Sequence, residues 1–148
     1  MDINRRAPAT AEGEIHIDAD PDTVFSVIAN INAWPTWNPD VRAAALDGAV
    51  EPGAVFRWKA GPTALTSILQ TVEPPHEIGW TGTTLGIKAV HVFRFAPRNG
   101  GTLARSEESW DGLIARVFSG YSRKTLDNGI RSVLAHLKDE AERHAATA

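Results

Sequence analysis

The stretch Ile87-Lys88-Ala89-Val90-His91-Val92-Phe93-Arg94-Phe95, interrupted at Asn99-Gly100-Gly101 and resumed as Thr102-Leu103-Ala104-Arg105-Ser106-Glu107-Glu108-Ser109-Trp110, decides the fold. Both runs send successive side chains to opposite faces, as half-buried strands do, and the Asn-Gly-Gly between them suits a tight reversal. Ile87, Ala89, His91, Phe93 and Phe95 share one face of the first run, while Lys88, Val90, Val92 and Arg94 share the other. The aromatic side chains mark the first set as the inner one. A reversal centred on Asn99 and Gly100 sets Phe95 against Ala104, Phe93 against Ser106 and His91 against Glu108.

Toward the N-terminus the same signature repeats. Val41 to Leu46, Ala54 to Ala60, Thr63 to Val72 and Glu77 to Thr81 read as strands, bounded by Asp47-Gly48, Pro52-Gly53, Gly61-Pro62, Pro74-Pro75, Gly82 and Gly86. Strands joined by turns this short form an antiparallel meander. Glu14 to Asp18 alternates around Ile15 and Ile17 and gives a first strand. Asp20-Pro21-Asp22-Thr23 then places a capping carboxylate before a proline at the first helical position, and a short helix is predicted to end near Asn30. Asn32 to Pro39 carries two prolines and two tryptophans, Trp34 and Trp37, so it must be a compact turn or short helix.

Toward the C-terminus the period changes. From Leu113, apolar residues including Val117, Tyr121, Leu126, Ile130, Leu134 and Leu137 recur at helical spacing, and one long helix is predicted. Gly120 and Gly129 inside it suggest a bend or a close backbone approach. The chain is therefore expected to be α+β, with a curved antiparallel sheet of about seven strands wrapped around a long C-terminal helix in the order β-α-α-β6-α. One helix does not fill the concave side of such a sheet, so an apolar cavity is expected between them. The reading assigns residues 14–145 to a single domain and residues 1–13 to a flexible leader.

Composition narrows the function classes. With 148 residues, 43% of them hydrophobic and 22% charged, the chain can bury one core without external staples. A formal charge of -3 argues against nucleic acid and against an anionic membrane held by net charge. The absence of cysteine removes disulfides, thiolate nucleophiles and sulfur-bound metals, and fits a cytoplasmic location. No segment reads as a signal peptide or a membrane span, so no integral membrane association is expected. The five histidines are scattered without zinc spacing, and neither a phosphate-binding glycine loop nor a nucleophile elbow occurs, so no metal and no cofactor is expected.

Three segments carry a family resemblance. Ile15 to Phe25 followed by Trp34-Pro35-Thr36-Trp37-Asn38-Pro39 resembles the opening of the START-like superfamily, also called SRPBCC, with the helix-grip fold of Bet v 1 and the polyketide cyclase/dehydrases. Val72-Glu73-Pro74-Pro75-His76-Glu77-Ile78-Gly79-Trp80 is similar to its proline bend, and Gly100-Gly101-Thr102 with Glu107 to Gly112 to its last hairpin and helix entry. The similarity extends over roughly residues 12–142. It implies the helix-grip fold and a pocket; members range from lipid carriers and hormone receptors to cyclases and co-chaperone domains, with no shared catalytic motif to transfer.

The candidate site follows from the strand faces. His91 and Glu108, as inward-facing cross-strand neighbours, are a candidate acid/base pair or polar anchor; paired burial for structural reasons is the competing reading. Phe56, Trp58, Trp80, Phe93, Ser106 and Trp110 from the sheet, with Val117 and Tyr121 from the helix, are candidate ligand contacts, against the ordinary tendency of large aromatics to fill a core. Trp34, Trp37 and Asn38 are read mainly as a packed corner near the pocket mouth. The leading expectation is binding of a small hydrophobic or aromatic metabolite or lipid by a monomer or homodimer. A cyclase, dehydrase or hydrolase using His91 and Glu108 is the alternative. An interaction module comes third, because strand alternation implies a polar outer face and no large apolar patch.

Overall fold

The computed structural model describes residues 1–148. Seven strands form one antiparallel sheet in the order β1-β7-β6-β5-β4-β3-β2: β1 Ala9–Ile17, β2 Val41–Leu46, β3 Val55–Ala60, β4 Thr63–Glu73, β5 Glu77–Thr84, β6 Ile87–Arg98 and β7 Gly101–Asp111. The meander expected from the turn residues is thus complete, and β1 closes it by pairing with β7. The peptide bond between Pro74 and Pro75, in the β4–β5 turn, is cis.

Between β1 and β2 lie α1, Pro21–Ala29, a single 3₁₀ turn over Ile31–Ala33, and α2, Trp34–Trp37. The Asp20 carboxylate caps α1 by accepting from the Thr23 amide at 2.8 Å, as its position before Pro21 implied. The proline-rich corner is pinned from within: Trp34 is buried, donates its indole N–H to the Ile28 carbonyl at 2.9 Å, and packs edge-on against Phe56 and Trp58.

The C-terminal helix departs from expectation at its start. It is split into α3, Leu113–Val117, and α4, Ser119–Thr147, by Phe118, whose backbone (φ -109°, ψ 43°) is outside the helical region. Neither Gly120 nor Gly129 marks a close approach, since a Cβ added at either would meet nothing within 4 Å. The glycine that serves close packing is Gly13 in β1, where an added Cβ would come within 2.9 Å of Ile130 and 3.3 Å of Leu134. There α4 lies almost on the strand. It rests chiefly on β1, β7 and α1, and scarcely touches β3, β4 or β5. Leu126, Ile130, Leu134, Leu137 and Ala141 form its buried stripe, joined in the core by Ile17, Val24, Ile28, Phe56, Leu69 and Ile78.

Residues 1–13 are not the flexible leader expected from their composition. β1 begins at Ala9, which is fully buried, and Ile3 is buried as well. The segment covers the outer face of the sheet, where the Met1 ammonium is 3.3 Å from Glu77, the Asn4 amide donates to Ser109 Oγ at 3.0 Å, and Arg5 pairs with Glu107 at 3.2 Å. The physical reason lies across the sheet: Val92 and Glu107 face outward from β6 and β7, and burying them requires a cover with an apolar side chain and cations. Arg94 completes that cover by bridging Glu77 at 2.8 Å and Glu107 at 3.1 Å while donating to the Met1 carbonyl.

Candidate functional site

The displacement of α4 toward β1 leaves a cavity of about 650 Å³ over the middle of the sheet. Its floor is the inner face of β3 to β7, its roof is α4 from Tyr121 to Val133, and α2 with Asn38 closes one side. Of its 32 lining residues 18 are hydrophobic, so an apolar guest gains most from entering.

His91 and Glu108 meet as the strand register implied. They are direct partners across the β6–β7 ladder, and His91 Nδ1 lies 2.8 Å from Glu108 Oε1. Both line the cavity, with side chains 11% and 16% exposed. The other ring nitrogen, Nε2, is 2.7 Å from the hydroxyl of Ser106, which is wholly buried. Ser106, His91 and Glu108 thus form a polar chain running from the sheet interior to the cavity wall. With Nε2 unprotonated the ring accepts from the serine hydroxyl, while Nδ1 lies beside the carboxylate at ion-pair distance. The imidazole is clamped on its faces too, stacked at 4.6 Å on Phe93 and tilted at 5.0 Å from Trp80. The Glu108 carboxylate is not sealed from solvent and lines the cavity, so it is within reach of a guest.

The other expected residues divide. Trp58, Trp80, Phe93 and Trp110 line the cavity. Trp58 is oriented by its indole N–H, which donates to Ser67 Oγ at 3.1 Å. Phe56 is fully buried and stands behind the wall, 5.7 Å from Trp80 and edge-on to it, so it shapes the site without lining it. Ser106 likewise supports the wall through His91. Tyr121 reaches the cavity only at its rim and is 73% exposed, whereas Val117, 63% exposed, lies outside it. The break at Phe118 explains this correction: it swings α3 off the line of α4, so the first part of the predicted stripe never reaches the core.

Some lining residues went unassigned in the strand-by-strand reading. Leu65 and Ser67 in β4 face the cavity, and alternation from Thr63 to Leu69 carries the signal for them. Trp37, read as part of a packed corner, also lines the cavity, and its indole Nε1 is the one buried side-chain polar atom with no hydrogen-bond partner. An unpaired buried donor of this kind is uncommon. No group of three or more His, Cys, Asp or Glu is placed to hold a metal ion.

Residues 8–142 match the family described as polyketide cyclase / dehydrase and lipid transport. The chain belongs to that family. The fold is widely shared among solved structures. A hypothetical protein from Helicobacter pylori, jhp0584, superposes with a TM-score of 0.83 at 12% identity, covering 94% of this chain and 91% of its own. The Zhui aromatase/cyclase from Streptomyces sp. R1128 gives a TM-score of 0.76 at 14% identity, covering 92% and 94%. The di-domain ARO/CYC BexL of the BE-7585A biosynthetic pathway is 25% identical with a TM-score of 0.71; the match covers 93% of this chain but 52% of BexL, about half its length. No curated protein matches the chain in sequence. These likenesses show the fold, and the family match over residues 8–142 shows the family.

Proposed function

We propose that this protein binds a small hydrophobic or aromatic molecule in the cavity between the sheet and α4, with Glu108, held by His91, as its polar anchor. The observation that carries this reading is a cavity of about 650 Å³, within the range of small-molecule sites, walled by Trp58, Trp80, Phe93 and Trp110, with the Glu108 carboxylate beside His91 among its polar lining groups. The flat rings suit a planar guest. The cysteine-free composition is consistent with action in the cytoplasm. Native mass spectrometry of protein purified from its own cells tests the reading, together with titration by 1-anilinonaphthalene-8-sulfonate. A bound metabolite and saturable 1:1 probe binding are expected. Loss of neither on filling the cavity with Ala89→Trp would overturn it.

A second reading is favoured by the Ser106–His91–Glu108 chain. A carboxylate coupled through imidazole to a hydroxyl can accept and return a proton, which is what a cyclization or dehydration of an enolizable substrate requires of a general acid/base. In that reading the Glu108 carboxylate exchanges the proton with the bound molecule, His91 holds it in place, and Ser106 orients the ring. Turnover that survives both Glu108→Gln and His91→Phe would remove the pair from any reaction.

A further inference from the structure

Six large apolar side chains stand in the open at one end of the molecule. Leu85, in the β5–β6 turn, is 81% exposed; Leu113, Ile114, Val117 and Phe118 of α3 and its exit are 71%, 40%, 63% and 56% exposed, and Tyr121 at the start of α4 is 73% exposed. The turn and α3 form one ridge, because Gly86 lies against Ile114 and the Gly86 carbonyl abuts Gly112. Leu85, Ile114 and Tyr121 also line the cavity, so the ridge borders it.

Folding gives no reason for this surface. Leu85 has φ 40° and Gly86 φ 75°, the paired left-handed conformation of a two-residue hairpin turn. Asn, Asp or Gly fits the first position; a leucine there is strained and, at 81% exposure, recovers almost nothing by burial. Both terms act against it, so a contact outside the chain is the remaining source of its advantage.

Charge indicates the kind of contact. Residues 83–88 and 112–125 hold four cations, Lys88, Arg116, Arg123 and Lys124, and no acidic residue, in a chain whose net charge is -3. Asp111, 3.7 Å from Arg116 and the direct cross-strand partner of Lys88, offsets both of them in part. Arg123 donates to the Pro8 carbonyl at 3.1 Å, which fixes it without neutralising it. The chain's overall charge argues against an anionic surface, but screening within about 8–10 Å makes the local balance decide.

We propose that this ridge docks on an anionic lipid bilayer, with Leu85, Val117 and Phe118 entering the headgroup region while the four cations face the lipid charges. A second copy is a poor occupant, since a symmetric contact would set the same cations against one another. A bilayer suits the cavity as well. Docked in this way the ridge side of the cavity meets an apolar phase, and a hydrophobic guest passes between the two without crossing water; this step, and only this step, rests on the binding reading above.

The test is flotation of the full chain with vesicles of phosphatidylcholine alone and of phosphatidylcholine with phosphatidylserine at two to one. Binding to the anionic vesicles, weakening as salt rises, is expected, with little to the neutral ones. Lys124→Gln should reduce partition about fivefold, the contribution of one cation near such a surface. Leu85→Asn should reduce it too while leaving thermal stability equal or higher, because asparagine tolerates the left-handed turn; Phe118→Asp provides a second variant at an exposed site. No binding to anionic vesicles would overturn the proposal, as would binding unchanged in these three variants. Concentration-dependent dimers in sedimentation, lost in the same variants, would reassign the ridge to self-association. Probe binding in the cavity is measured without vesicles, so failure of either reading is seen separately.

Discussion

Replacing His91 with phenylalanine separates a polar chain that stabilises the site from one that is merely tolerated there. His91→Phe keeps a flat ring between Trp80 and Phe93, but it removes the partner 2.8 Å from Glu108 and leaves the Ser106 hydroxyl, fully buried, without its acceptor at 2.7 Å. A buried polar group left unpaired costs about 1–3 kcal/mol. The Glu108 side chain is 16% exposed and can turn one oxygen toward cavity water, so its share should lie at the lower end. The single substitution should therefore destabilise the fold by about 2 kcal/mol, a fall in Tm of roughly 4–8 °C for a domain of this size. Ser106→Ala with Glu108→Leu leaves the histidine buried and unpaired and should cost about as much. The triple variant His91→Phe/Ser106→Ala/Glu108→Leu replaces the chain with apolar wall and should regain most of the loss, because no buried polar group is left unmatched. Urea unfolding followed by tryptophan fluorescence and by circular dichroism measures all of these. Losses that simply add, with a coupling below about 0.5 kcal/mol, would refute the reasoning and mean that the three groups are solvated independently.

Other consequences are equally direct. Ala89→Trp, on the inner face of β6, should fill the cavity and lower affinity for an apolar fluorescent probe at least tenfold with little change in unfolding midpoint, as measured by titration and urea melts. Gly13→Val should destabilise by about 1–3 kcal/mol through overpacking, because its side chain must enter the 2.9 Å gap to Ile130; the same melts check it, and Gly13→Ala should cost less. The Asp20 carboxyl is held below the usual range by the Thr23 amide, and that of Glu142 by the Lys138 ammonium at 2.5 Å and then the Asp18 amide. Each is bound more tightly as an anion in the folded state, so the stability it gives is present above about pH 4 and is lost as pH falls through the lowered values. Melting temperature recorded from pH 7 to 2 should drop in that window, less steeply for Asp20→Asn with Glu142→Gln.

The meander, the capping of α1 and the pairing of His91 with Glu108 were all legible before any coordinates. They depend on local rules: strand alternation of period two, glycine and proline at the turns, and a reversal at Asn99-Gly100 that admits one register. The same rules assigned Trp58, Trp80, Phe93 and Trp110 to the inner face. They did not say which inner residues border empty space. Phe56 and Trp58 read alike in sequence, yet one is sealed in the core and the other lines the cavity, a difference set by what packs around each and not by local pattern.

Helical spacing from Leu113 predicted one continuous buried stripe, and its first part lies open instead. A repeat of apolar residues states that a face exists, not what covers it; Phe118 breaks the helix and leaves that face without a partner inside the chain. The N-terminal segment shows the converse. Its polar composition suggested fraying, but Met1 and Arg5 find Glu77 and Glu107 waiting on strands more than 70 residues away, and Ile3 is buried with them. The sequence by itself determined which elements form and which residues share a face, since those depend on neighbours along the chain. Tertiary structure alone decided the size of the void, the covering of the outer sheet and the exposure of the ridge, since each depends on where α4 comes to rest, and Gly13 brings it down on β1.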